Sequence, residues 1–328
     1  MIQDHREWCT ALQPLPHFPV RLALPDLAPW LPGNAGVPGV WRFAAAAPGP
    51  DVVITALIHG NEIAGAVALE SLLRAGPRPA RGTLTLVFAN LDAAARFDPA
   101  NPTASRFADE DMNRIWEAAE LDGGRTSSEL ARARALRPLI DRADLLLDLH
   151  SMLWPSDPLI LCGPTARGRA LAVSVGVPPL VVADHGHLGG RRLIDYAPFV
   201  DPAGARTAIL VEAGQHWEPA TVQTMLDSIA GILAAAGQGW DQGWDQGSRR
   251  GTLPQARVAE VTLSVTAATG TFAFTAPYRG GEVVRHRNTL IAVDGGTEIR
   301  TPHDDCMLVM PSLRPSRGHT AVRLARFV

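Results

Sequence analysis

Apolar positions follow two different regimes along the chain. From Val52 to about Ala235, continuous apolar runs alternate with segments whose apolar residues recur every three or four positions. Val52–Ile58 is nearly all apolar and rich in β-branched residues, as in a strand buried on both faces. In the following segment, 62–74, Ile63, Ala66, Val67, Leu69, Leu72 and Leu73 form one face and Glu70 and Arg74 are left for solvent. This spacing predicts a helix with Asn61 as its N-cap. Strands are predicted in the same way over 83–89, 144–149, 158–162, 179–183 and 207–212, and helices near 127–142 and over 219–235. Thr126 and Glu129 have capping-box spacing, Pro138 is expected to kink its helix or end it early, and Pro219 suits a first turn. The order predicts an α/β fold, a mostly parallel sheet with helices on both faces. Residues 1–50 are rich in proline and lack a period, which predicts loops and a short strand or two at the sheet edge.

Beyond Gly251 the runs shorten to 258–265, 270–275, 282–287, 289–293, 306–311 and 320–326, separated by Gly, Pro and Asp turns. This pattern predicts a small C-terminal all-β domain without helices. Between the two regimes, Gly237–Ser248 reads GQGWDQGWDQGS and has neither period, as in a linker. Trp240 and Trp244 are expected to dock on a neighbouring surface. The expected organisation is an α/β domain over 1–236, a linker over 237–250 and a β domain over 251–328.

Composition narrows the function classes. A chain of 328 residues, 46% hydrophobic and 19% charged, fits a soluble globular protein with a sizeable core. A net charge of −3 offers no basic field for nucleic acid or an anionic membrane. The basic residues are all arginine, which excludes lysine Schiff-base and Walker-type chemistry. Cys9, Cys162 and Cys306 are far apart with no C-x-x-C, in keeping with a reducing compartment. Met1–Thr10 has no apolar core of a signal peptide, and no apolar run reaches the ~18 residues of a spanning helix. A cytoplasmic protein is expected, with a homo-oligomer left open.

In open α/β sheets, ligands bind at the carboxyl ends of the strands. His59 and Glu62 follow the first predicted strand, Asn90 and Asp92 the second, His150 ends the strand beginning at Asp144, and Glu212 ends Ala208–Glu212. A tight turn through Gly60 can aim His59 and Glu62 at one point. Alone, that pair also fits a loop histidine beside an acid that suits a helix dipole. With His150 it gives two imidazoles and one carboxylate, which leave a fourth position open as in a catalytic zinc site. Zinc lowers the pKa of a bound water to about 7, and Glu212 is the candidate carboxylate to take its proton and pass it to a leaving nitrogen. A buried or salt-bridged acid is the alternative for Glu212. In the charged stretch 106–114, Arg114 can grip a substrate carboxylate and Arg106 can stabilise an oxyanion; a solvated charged loop is the other reading.

His59-Gly-Asn-Glu62, Arg106 with Asp111-Met-Asn113-Arg114, Asp148-Leu-His150-Ser151 and Val211-Glu212-Ala-Gly together resemble the succinylglutamate desuccinylase/aspartoacylase family, relatives of the zinc carboxypeptidases. The resemblance implies one zinc per chain on His59, Glu62 and His150, with Glu212 as general base and then acid. It also implies Arg106 polarising the scissile carbonyl and Asn113 with Arg114 holding a substrate carboxylate. Asp111 would orient a ligand such as His59, and a C-terminal β domain would narrow the active-site entrance. The implied activity is a zinc-dependent deacylase cleaving a linear amide in a small N-acylated amino acid or amine. A metallocarboxypeptidase and a non-catalytic binding protein on the same fold are the rivals.

The chain departs from the family where the aspartoacylase branch uses further arginine and tyrosine residues. Only Tyr196 and Tyr278 are present, and neither context matches; Arg191, Arg192 and Arg206 are candidate substitutes for the arginine. His185, His187, His216 and His303 are candidates for lining the pocket or its entrance.

Overall fold

The computed structural model describes residues 18–187, 189–238 and 255–328. Cys9, Trp240, Trp244 and the expected linker from position 239 onward lie outside the described residues. Two compact units emerge from the contacts. One comprises Val20–Ser151 and Pro158–Arg257; Val258–Val328 and Met152–Asp157 belong to the other.

The first unit runs β1 (Val40–Ala44), β2 (Asp51–Ala56), α1 (Ala64–Ala75), β3 (Thr83–Phe88), α2 (Leu91–Ala94), α3 (Ala118–Leu121), α4 (Ser128–Ile140), β4 (Leu145–Met152), β5 (Leu159–Leu161), α5 (Ala166–Val175), β6 (Leu180–Ala183), α6 (Ala197–Val200), β7 (Thr207–Gln215) and α7 (Pro219–Ala235). Its strand order is β1-β3-β2-β4-β7-β5-β6. β3, β2 and β4 pair in parallel, as do β5 and β6. β1 is antiparallel to β3 at the edge, and β5 is antiparallel to β7. Apart from Thr55, Thr83 and Thr85, the buried positions of β2 and β3 are apolar, as the runs predict.

The connection from β2 through α1 to β3 and the one from β3 through α4 to β4 cross the sheet in opposite directions. Because such crossovers are right-handed, α1 and α4 cover opposite faces. α7 packs with α1 and α5 in one layer. The mostly parallel sheet with helices on both faces is therefore as the apolar pattern predicts.

Several local expectations are corrected. β2 stops at Ala56, short of Ile58, because buried Leu57 takes a left-handed φ of 62° that turns the chain out of the sheet. Asn61 is not the cap of α1. Residues 59–62 form a turn, with Glu62 N–H donating to His59 O, and α1 starts at Ala64 with Ile63 at its N-cap. α4 continues two residues past Pro138, and its N-cap is Ser127, whose Oγ accepts from Leu130 N–H.

The second unit is all β among its described residues: β8 (Arg257–Thr266), β9 (Ala273–Phe274), β10 (Val283–Val284), β11 (Leu290–Asp294), β12 (Thr297–Arg300), β13 (Cys306–Val309) and β14 (Thr320–Phe327). β8, β14, β13 and β10 form an antiparallel sheet, and β12, β11 and β9 a smaller one. Phe272, Phe274, Ile291, Cys306, Leu308 and Val322 contribute to its core.

Candidate metal centre

Register brings the predicted residues together. Thr55 of β2 lies opposite Asp148 of β4, so His150 falls level with the turn that follows β2. Gly60 lets that turn pack tightly. A Cβ there would come within 2.6 Å of backbone atoms of Ala93, Ala94 and Ser105, and Gly60 N–H donates to Arg106 O. The turn is thereby held against the start of the 106–114 stretch.

His59 Nδ1 lies 2.7 Å from Glu62 Oε1, and His150 Nδ1 lies 3.0 Å from Glu62 Oε2. One ligand atom from each of His59, Glu62 and His150 falls within 4.8 Å of the others, and all three residues are buried. The far nitrogen of each imidazole meets a carboxylate: His59 Nε2 is 2.9 Å from Asp111 Oδ1, and His150 Nε2 is 2.8 Å from Asp148 Oδ2. Thr55 Oγ1 donates to Asp148 Oδ1 at 2.5 Å, and Ser151 N–H donates to Glu62 Oε2 at 3.0 Å.

A carboxylate that accepts from an imidazole Nε2–H favours the tautomer whose Nδ1 lone pair is available to a metal. Two imidazole nitrogens and a carboxylate, each imidazole backed by an acid, are a donor set that fits zinc.

Opposite charges hold the cluster together. Burial alone would raise the Glu62 carboxyl, yet His59 and His150 hold it well below the ordinary carboxylate range. Burial would lower His150, but Asp148 and Glu62 push it well above the ordinary imidazole value. Burial likewise opposes ionisation of Asp111, and His59 with Arg106 and Arg114 keeps it below the carboxylate range. His216 behaves differently: burial pushes it down to about 4, so it is neutral at pH 7. Its Nδ1 is 2.7 Å from Ser151 Oγ, one residue from His150.

The other predicted residues flank this cluster. Arg106 Nη2 donates to Asp111 Oδ2 at 3.2 Å and lies 2.9 Å from His59 Nε2, and its Nη1 is 3.6 Å from Glu62 Oε1. Asp111 caps the single 3-10 turn Met112–Arg114. Asn113 is buried; its Oδ1 accepts from Leu193 N–H at 2.8 Å, and its Nδ2 is 3.5 Å from His150 Nε2. Arg114 Nη1 donates to Asn113 O at 2.6 Å. The Arg114 side chain also lines a cavity of about 820 Å³ together with His185, His187 and Arg191. Glu212 is buried on β7, the strand beside β4.

Several candidates are committed elsewhere. Arg192 is buried between Asp184 and Asp195, and Arg191 pairs with Glu117. Tyr196 accepts from Arg137 Nε and donates to Asp141. His303 lies in the second unit, where its Nε2 is 2.9 Å from Thr262 Oγ1.

Sequence reasoning gave Asp148 no role. The signal was present, since residues two apart on a strand face the same side, and Asp148 and His150 are such a pair. Asp148→Asn is expected to lower zinc affinity about 10–100-fold, read by competition with a chromogenic chelator. Unchanged affinity would show that this carboxylate does not support the ligand.

Buried histidines and a glutamate at the carboxyl ends of a mostly parallel sheet define the class, an α/β fold with a cation-compatible donor cluster. Residues 48–163, the segment carrying His59, Glu62, Arg106, Asn113 and His150, match the model of the succinylglutamate desuccinylase/aspartoacylase catalytic domain. No curated protein sequence matches the chain.

Solved structures share the fold. A succinylglutamate desuccinylase from Vibrio parahaemolyticus is 15% identical with a TM-score of 0.64, over 88% of this chain and 86% of that one. A succinylglutamate desuccinylase/aspartoacylase from Rhodobacter sphaeroides is 19% identical with a TM-score of 0.61, over 88% of each chain. The ectoine utilization protein EutE (DoeB) from Ruegeria pomeroyi, solved with product bound, is 17% identical with a TM-score of 0.57, over 87% of each. Among the described residues, no helix is long and apolar enough to cross a membrane.

Proposed function

We propose that the protein is a zinc-dependent amidohydrolase that removes the acyl group from a small N-acylated amino acid or amine. The observation that carries this reading is the cluster of His59, Glu62 and His150, with ligand atoms within 4.8 Å of one another and Asp111 and Asp148 behind the two imidazoles. These three residues would hold one zinc, which when bound supplies Lewis acidity and an acidified water at neutral pH.

The chain's own residues do the rest. Glu212 accepts the water proton and delivers it to the departing nitrogen, so that a poor amide leaving group departs as a neutral amine. The Arg106 guanidinium, beside the cluster, polarises the scissile carbonyl and offsets the charge that develops on its oxygen. Arg114, with one edge in the cavity, supplies the cation for a substrate carboxylate, and Asn113 sets the position of its neighbour.

The test is a screen of N-acetyl and N-succinyl amino acids and ectoine-derived N-acyl compounds, scored by amine release with and without chelator. Zinc is measured per chain in the same preparation. Chelator-sensitive amine release is the expected result. Cleavage of blocked dipeptides in preference to N-acyl amino acids would favour the carboxypeptidase reading, and a chain that takes up no zinc would end both.

A further inference from the structure

We infer that Glu129 is a positioning residue: its carboxylate is the anchor that holds the 106–114 stretch in register with the His59–Glu62–His150 cluster. The inference rests on the deacylase reading for its catalytic consequence, though not for its geometry.

Glu129 has the sequence spacing of a capping-box acid, but its side chain does not turn back to the start of its own helix. It is completely buried, and its carboxylate accepts four hydrogen bonds. Oε1 accepts from Ala108 N–H at 2.6 Å and from Asn90 Nδ2 at 2.9 Å. Oε2 accepts from Asp109 N–H at 3.1 Å and Glu110 N–H at 3.2 Å. Three successive backbone amides thus converge on one carboxylate, in the manner of an anion-binding nest with the anion supplied by α4.

The loop returns the contact. Asp109 Oδ2 accepts from Ser128 N–H at 2.7 Å at the start of α4, and Ser127 Oγ donates to Glu110 Oε1 at 2.5 Å. Helix and loop are therefore locked at both ends of a short exchange of hydrogen bonds. The residues immediately beyond the nest are Asp111, which meets His59, then Asn113 and Arg114; Arg106 precedes it. Asn90 ties the anchor to the sheet as well, because its Oδ1 accepts from Ala93 N–H at the start of α2 while its Nδ2 donates to Glu129.

An isosteric change tests this. A glutamine at 129 presents one oxygen and one NH2, and either orientation aims the NH2 at a pair of N–H donors. The anchor needs a carboxylate, since no amide rotamer satisfies all four donors. Glu129→Gln, assayed in the full zinc-loaded chain, should speed hydrogen exchange at amides 108–110 by roughly tenfold or more. It should also lower kcat/KM about 10–100-fold with zinc still near one per chain, because the ligands themselves sit on β2's turn and β4.

Leu136→Ala, a buried truncation on the same helix, is the control for simple destabilisation. It should lower Tm and leave both readouts near wild type. If Glu129→Gln does not fold, Ser128→Pro is read in its place. It deletes the N–H that meets Asp109 at the first helical position, where proline is tolerated, and Ser127 before it is already extended. Exchange at 108–110 and kcat/KM matching wild type or Leu136→Ala would overturn the anchor. If the wild-type chain cleaves no N-acyl compound while Glu129→Gln still loosens 108–110, the anchor stands and the deacylase reading fails on its own.

Discussion

Glu212→Gln is expected to cut amine release by roughly a thousandfold while the zinc content and Tm stay near wild type. The size follows from the task. General acid–base catalysis typically contributes about 10²–10⁴-fold, and here one group serves both proton transfers, so a glutamine loses the base and the acid together. The change preserves side-chain shape at a buried strand position, so packing is disturbed little. The ligands lie on other elements, the turn after β2 and the strand β4, so metal uptake is not expected to follow the loss of activity. KM should move little, because the proposed substrate contact is Arg114, held in place by Asn113. The measurement is kcat and KM on the best N-acyl substrate, with zinc per chain from the same sample. Full turnover by the variant would remove Glu212 from the chemistry.

Much of this site was legible because its parts announce themselves locally. Strands β2 and β4 are mostly apolar runs, broken only by Thr55 and Asp148 before the polar residues at His59 and His150, where an open sheet places its chemistry. The hidden parts depend on contacts far along the chain. Glu129 carries the spacing of a cap residue, and nothing nearby reveals that it meets amides about twenty positions earlier. Leu57 reads as one more apolar strand residue, although its left-handed backbone ends β2 and aims the turn; strain at a leucine has no sequence signature.

Helix α5 and strand β12 escaped for other reasons, as did the single-turn helices α2, α3 and α6, each too short to show a period. Helix α5 has Gly168 in its first turn and a weak apolar stripe, although Thr165 and Gly176 are proper start and stop signals. Strand β12 is polar and half exposed, so it carries no alternation; only the Asp294-Gly295 turn before it marks a hairpin.

Arg192→Met is expected to destabilise the protein by about 3–5 kcal/mol, the usual cost of removing one partner from a buried charge cluster. Arg192 is 3% exposed, and its guanidinium donates four hydrogen bonds to two carboxylates that are themselves buried. Nη1 and Nη2 each donate to Asp184 at 2.8 Å, while Nε and Nη2 donate to Asp195 at 2.7 and 3.0 Å. Methionine fills the stem but leaves both acids without their cation. Lysine would not rescue the fold, since a point charge cannot serve two planar carboxylates at once. Replacing Asp184 and Asp195 by asparagine in the Arg192→Met background should recover much of the loss, because the penalty lies in stranded charge more than in missing attraction.

The consequence reaches the site. Arg191 O accepts from Trp116 N–H, Leu193 N–H donates to Asn113 Oδ1, and Gly190 at φ +132° packs with its Cβ position 2.2 Å from Arg114 O. Residues 190–193 are therefore laid against 113–116, with Arg192 pinning them from behind. Urea unfolding should report the lost stability. In the fraction that remains folded, KM should rise more than kcat falls, because the pieces set adrift are Asn113 and Arg114 and not the ligands or Glu212. An Arg192→Met protein as stable as wild type would mean that water or another cation reaches Asp184 and Asp195 as readily as arginine does.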